Sequence, residues 1–409
     1  MKKRRWAGIM LFLAVMGPGI ITAIVDIDAG GVATYSLAGA HFGYTLIWSL
    51  IPITIALIVV QEMCARMGVI TGKGLADLIR ENYGVKITFF ILLAIFFVNL
   101  ANIISNFAGI AASSEIFGVK KYLGVPLAAM IIWLAVVKGT YKSAERIFLV
   151  VCVLYFAYII SGVLVKPDWA QVSKEIFIPS FNFTSSAYTV MLVGLVGTTI
   201  APWMQFYLQS SIVEKGISIE NYKHSKLDVI SGTIVAKVFA LFIMVACAST
   251  LFKNGIRIDT AADAAMALEP LVGKFCCYLF AFGLLNASLA AASIIPLSTT
   301  YSICEGMGWE SGVNKRFNEA PQFYIIFTGL IVVSALVVLI PKFPLILGMY
   351  ISQVINGILL PFLLIFILLL VNKRELMGGY INSKAFNFIA WATVVVMIVL
   401  SAGMLFTIF

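Results

Sequence analysis

Hydrophobic positions in this chain come in long runs of about twenty, recurring from one end to the other, rather than in short alternating stretches. In hydrocarbon every backbone amide must find its partner locally, so such runs predict membrane-spanning helices. The ten-residue alternation of an outer-membrane barrel is absent. The pattern predicts eleven segments, at 9–40, 44–64, 87–114, 122–137, 147–165, 187–213, 228–252, 275–300, 322–341, 344–371 and 386–408. No polar stretch between them is long enough for a soluble domain, so residues 1–409 read as one transmembrane domain of all-α class. The first run follows Lys2, Lys3, Arg4 and Arg5 in the manner of a signal peptide. No small-x-small cleavage site closes its apolar core, however, and the apolarity continues past position 30, so it reads as retained.

Composition agrees with the pattern, at 61% hydrophobic and 11% charged residues. Charge adds an orientation. With the N-terminus in the cytoplasm, nineteen Lys and Arg fall in inner loops and eight in outer loops, with Lys237 inside a helix. The bias predicts a multi-pass protein of the cytoplasmic membrane, N-terminus inside and C-terminus outside. The net charge of +9 is therefore a topology signal, spread over several loops, and does not point to nucleic acid. No obligate protein partner is evident; the bilayer is the surrounding partner. The six cysteines lack metal-ligand spacing and read as small apolar fillers, and His41 and His224 read as ordinary surface residues.

Two segments are interrupted at their middles. The first carries Gly17-Pro18-Gly19 and then Asp26-Ile27-Asp28-Ala29-Gly30-Gly31; the sixth carries Gly197-Thr198-Thr199-Ile200-Ala201-Pro202-Trp203. Proline removes a backbone hydrogen bond, and the flanking glycines and threonines permit unwinding. Interruptions at corresponding places suggest two inverted five-helix repeats, 9–165 and 187–371, with 386–408 added and a substrate site where the unwound helices meet. A mid-membrane carboxylate such as Asp28 costs ~2.5–3.5 kcal/mol, which favours a functional reading over two unrelated kinks. A carboxylate with freed carbonyls suits magnesium, calcium or manganese, and also leaves room for the ammonium of an amino acid.

At this point the residues resemble the NRAMP divalent-metal transporters over nearly the whole chain. Gly17-Pro18-Gly19 through Asp28-Ala29-Gly30-Gly31 to Ala38-Gly39 is similar to their first helix, where the metal motif reads Asp-Pro-Gly-Asn. The stretch from Ala65 to Lys73, the sixth segment with Tyr207-Leu208 and Ser210-Ser211, and the tenth with Ser352-Gln353-Val354 and Leu360-Pro361-Phe362 follow in order. The resemblance implies a LeuT-like fold whose first and sixth helices are unwound mid-membrane. It also implies a site at Asp28, Gly31, Ala201 and Gln353 with backbone carbonyls of Val25 and Thr198, the transported metal being the only ligand and no cofactor being held.

The departures from the family pattern carry the choice of ion. Gly31 replaces the asparagine ligand, Ala201 the methionine and Trp203 the histidine after the proline; Ala108 and Ala111 stand where an acidic pair moves protons. These replacements are similar to those of the NRAMP-related magnesium transporters, a branch without proton coupling. Loss of the thioether removes the soft ligand that favours manganese and iron, and a wider site suits magnesium, which keeps several waters. The expectation is thus uptake of hydrated Mg²⁺, with Mn²⁺ also carried, by uncoupled alternating access. The alternatives are a proton-coupled Mn²⁺/Fe²⁺ transporter and an amino acid symporter of similar fold.

Asp26 is expected as an auxiliary acid, pointing about 200° from Asp28 on a regular helix. Asn99, Asn102 and Asn106 line one helix face and are expected to bond neighbouring helices. Lys237 needs a partner or water and is expected far from Asp28, where it would repel the metal. No signature of covalent chemistry is present, so no enzyme is expected, and a channel would want a repeated or symmetric filter.

Overall fold

The computed structural model describes residues 17–137, 155–182, 185–313 and 315–408. The basic N-terminus, the loop with Lys138, Lys142 and Arg146, Cys152 and the start of the fifth segment lie outside the described residues. Among the described residues there are helices and no strands. The first predicted segment is two helices, α1 (Pro18–Val25) and α2 (Ala29–Phe42). They are followed by α3 (Leu50–Thr71), α4 (Leu75–Ile116), α5 (Lys121–Val137) and α6 (Phe156–Leu164). A short α7 (Trp169–Phe177) precedes α8 (Ser186–Thr199) and α9 (Pro202–Glu214), the two pieces of the sixth segment. The chain then forms α10 (Tyr222–Thr250), α11 (Cys276–Met307), α12 (Pro321–Leu339), α13 (Leu345–Val371) and α14 (Lys384–Ile408). Eight of the described stretches are long and apolar enough to cross a membrane.

Where the helices differ from the predicted segments, polar residues explain it. The third segment was expected from 87, yet helix begins at Leu75 and runs through a turn at Gly84, whose φ of 80° only glycine adopts easily. Asp77, Arg80 and Glu81 keep this first stretch from reading as a membrane run, although Leu75, Leu78 and Ile79 are buried on its other face. Helix α7 was not expected at all. Its start is fixed by Asp168, whose Oδ1 accepts the N–H groups of Ala170 and Gln171 at 3.0 Å each, a capping signal that apolarity does not register.

Lipid supplies little force to drive helices together, so close backbone approach at small residues does much of the packing. Two such contacts matter here. On α1, a Cβ at Gly19 would stand 2.7 Å from the Val229 nitrogen, and one at Gly232 would stand 2.9 Å from the Gly19 carbonyl. Helix α1 therefore lies backbone against backbone on α10. Asp228 of α10 completes the junction: its Oδ2 accepts Gly19 N–H at 2.7 Å and Gly17 N–H at 3.3 Å, capping the exposed end of α1. The second contact joins α8 to α13. A side chain at Gly197 would run into the Gln353 carbonyl, and one at Gly357 would meet the Val193 carbonyl at 2.5 Å. Helix α4 packs against both α11 and α13 and so carries its asparagine face toward the middle of the bundle.

Candidate metal site

Each helix break can be traced to specific atoms. A helix running unbroken from α1 into α2 would send the Ala29 N–H to the Val25 carbonyl. Asn106 of α4 takes that N–H on its Oδ1 at 3.2 Å instead, leaving Val25, the last residue of α1, without its helical donor. The same Asn106 donates through Nδ2 to Asp28 Oδ2 at 2.8 Å, while Asp28 Oδ1 accepts Gly31 N–H at 2.8 Å and caps α2. Tyr155 donates its hydroxyl to the Ile27 carbonyl at 2.6 Å. The break at 26–28 is thus held from outside by α4 and by Tyr155. In the sixth segment the cause lies in the sequence itself. Pro202 has no N–H, so the Thr198 carbonyl four residues back lacks a helical donor, and Ala201 leaves the helical region at ψ 137°.

The two breaks meet over Gly31. Where a Cβ would stand on that residue, the Asp26 carbonyl lies at 2.8 Å, Thr198 Oγ1 at 3.3 Å and Asp28 Oδ1 at 3.6 Å. The oxygens come from both interrupted segments. Among the described residues Thr198 Oγ1, one of these oxygens, is buried without a hydrogen-bond partner. Oxygens so placed beside a carboxylate are the kind of donor a hard cation takes. Asp26, Asp28 and Thr198 are 3%, 5% and 2% exposed, so the site is closed to solvent in this conformation.

The remaining expected residues stand close by in different ways. Gln353 lies between the breaks: its amide nitrogen sits against Gly30 and its backbone carbonyl against Gly197. Its side chain is occupied, with Oε1 accepting from Asn356 at 2.8 Å and Nε2 facing Ser352 Oγ at 3.2 Å. Ala201 stands at the N-cap position of α9 without a capping side chain, and its carbonyl accepts the Met204 N–H at 3.2 Å. Asp28, Gly31, Thr198 and the Asp26 carbonyl are therefore gathered in one place, Gln353 braces the glycine beside it, and Val25 and Ala201 mark the helix ends that frame it.

One expectation needs correction, and another is met. Lys237 was expected far from Asp28; its Nζ lies 2.6 Å from Oδ2 of Asp26, two residues away in the chain. An ammonium on α10 that is buried needs an acid, and α10 packs on both α1 and α2, which bracket Asp26. The asparagine face was expected to bond neighbouring helices. All three do: Asn99 with Thr299 and Asn102 with Asn356, each at 2.8 Å, and Asn106 with Ala29 and Asp28 at the start of α2, which places it at the site as well. Its spacing three and four residues along a polar face was the available signal. Asn106→Ala is expected to weaken metal affinity about 10–100-fold, the usual effect of removing an outer partner of a ligand. A transport titration with unchanged half-saturation would mean that the Gly31 N–H alone orients Asp28.

No group of three or more His, Cys, Asp or Glu placed to hold a metal ion is present among the described residues. The five described cysteines are free. His41 is exposed.

Comparison with known proteins gives consistent results. The family model described as natural resistance-associated macrophage protein-like (Nramp) matches residues 19–407. The chain is 26% identical to the divalent metal cation transporter MntH of Deinococcus radiodurans, covering 97% of this chain and 91% of that one. It is 25% identical to MntH of Bacillus subtilis, over 98% of this chain and 93% of that relative. The crystal structure of the Eremococcus coleocola manganese transporter superposes with a TM-score of 0.80 at 21% identity, covering 95% of this chain and 85% of that one.

Proposed function

Because the chain belongs to the Nramp family of secondary metal transporters, we propose that it takes up partly hydrated divalent cations, Mg²⁺ foremost and Mn²⁺ besides. The family's members are integral multi-pass membrane proteins, not enzymes, and the metal is their substrate rather than a cofactor. In this reading eleven helices span the cytoplasmic membrane as two inverted repeats and one more helix, N-terminus inside and C-terminus outside. The ion is held by Asp28 and by carbonyls of Val25, Thr198 and Asp26, with the Thr198 hydroxyl, in the space over Gly31. Gln353 and Ala201 border it. Alternating access then follows from rocking of the interrupted helices about the bound ion.

The observation that carries this reading is the cluster over Gly31, whose three nearest atoms are all oxygen. A donor set of oxygens favours hard ions. Proton coupling is absent in this reading because Ala108 and Ala111, both fully buried on α4, offer no group to carry the proton. The membrane potential suffices as a driving force, at about 4.6 kcal/mol for a divalent ion at 100 mV. A second reading, proton-coupled manganese or iron uptake, is favoured by the names of the similar proteins, two called MntH and one a manganese transporter.

Reconstitution in liposomes separates the two. With Mg²⁺ entry and internal pH followed together under an imposed potential, Mg²⁺ is expected to enter without acidification. Acidification that tracks metal entry, or entry of Mn²⁺ but not Mg²⁺, would establish the second reading.

A further inference from the structure

The buried ammonium of Lys237 has a set of partners of its own. Nζ lies 2.6 Å from Asp26 Oδ2 and 3.0 Å from the Tyr35 hydroxyl, and that hydroxyl lies 2.9 Å from Thr199 Oγ1. Two groups touch this charge, Asp26 from the break at 26–28 and Tyr35 from helix α2, and Thr199 at the end of α8 holds the tyrosine hydroxyl in place. Tyr35 and Thr199 are fully buried, and Lys237 is 6% exposed. Among the described residues no other cationic side chain is in ion-pair contact with Asp26.

We propose that Asp26, Tyr35 and Thr199 form a second cation site, separate from the one over Gly31, which the protein fills permanently with its own ammonium. A carboxylate and a buried hydroxyl oxygen make up a donor set for a small monovalent cation or a primary ammonium. Lys237 occupies it as a tethered ligand that cannot leave α10. Removing the ammonium leaves a buried carboxylate without its counter-charge, a strongly unfavourable state that entry of a cation from solution relieves. One consequence rests on the uncoupled reading above: a site filled by a charge fixed to the chain carries no second ion across with the metal.

The test is a thermal unfolding series on the purified full chain, which needs no transported metal. Lys237→Ala deletes the three carbons and ammonium of n-propylammonium, so that ion is the matching probe; Na⁺ and Li⁺ are the inorganic ones, and choline, too large, is the reference. The wild-type midpoint is expected to be the same in all four chlorides. That of Lys237→Ala is expected to rise by about 3 °C or more in propylammonium and in at least one of the inorganic salts. The neutral pair Asp26→Asn with Lys237→Met keeps the volume without the charges, and its midpoint is expected to ignore the salt. If Lys237→Ala folds only when propylammonium is present, the proposal is supported directly. Equal midpoints for Lys237→Ala in every salt, failure to fold even with the amine, or an equal rise in the neutral pair would overturn it. Since the readout is stability, an error in the choice of transported ion leaves this result unaffected.

Discussion

Asp28→Asn is expected to abolish metal uptake while leaving the fold intact, and Asp28→Ala to abolish uptake with some loss of stability. The pair separates the two tasks of the residue. As an N-cap, Asp28 accepts the Gly31 N–H at 2.8 Å, and asparagine caps about as well as aspartate, so the turn should survive that substitution. Alanine cannot cap, which costs ~1 kcal/mol of stability. As a charge, Asp28 is the carboxylate among the oxygens over Gly31, and neither replacement restores it. Removing one partner of a buried charge pair costs ~3–5 kcal/mol, and each 1.4 kcal/mol is about tenfold, so the loss should exceed about two decades. Uptake assays in liposomes, with thermal midpoints as a check on folding, provide the measurement. Near-normal uptake by Asp28→Asn would move the metal away from the break at 26–28.

Gly31→Asn combined with Ala201→Met is expected to shift the preference from Mg²⁺ toward Mn²⁺ by about tenfold or more, through the softer thioether and the smaller space. The structure adds a condition. The Asp26 carbonyl stands 2.8 Å from where a Cβ on Gly31 would be, so the asparagine fits only if that carbonyl turns aside. Asparagine therefore both supplies an oxygen and displaces one, whereas Ala201→Met only adds a sulfur. The single Ala201→Met variant should raise Mn²⁺ preference by itself, and the double variant should also lower total Mg²⁺ uptake. Competition between the two ions measures this. An unchanged order in both variants would place selectivity in other residues.

Much of this arrangement was legible in the sequence because its causes are local. Pro202 alone explains the lost donor to Thr198, and the run Asp26 to Gly31 is poor helix material on any reading. The membrane helices follow from length and apolarity. What could not be read were causes that act between distant parts of the chain. Asn106 stands 77 residues from Ala29, and nothing along α4 tells it apart from Asn99 or Asn102, which bond elsewhere. The partner of Lys237 is 211 residues away, and an argument from repulsion placed that ammonium far from Asp28 because it neglected the second acid. Helix α7 was missed for a different reason, since Asp168 starts a helix that carries polar as well as apolar residues.

The two glycine contacts divide the molecule into parts. With backbone close against backbone at Gly19 and Gly232, and again at Gly197 and Gly357, there is little slack for one helix to slide past the other. Close contact of this kind opposes shear, the small sliding of packed helices. Helices α1 and α10 form one stiff pair, α8 and α13 another. Each pair continues into its interrupted segment through a short non-helical stretch, 26–28 after α1 and 200–201 after α8, and these stretches frame the oxygens over Gly31. In the proposed reading the hinges and the ion's contacts are thus the same short stretches of backbone, so a bound ion restrains the motion by the same contacts that hold it.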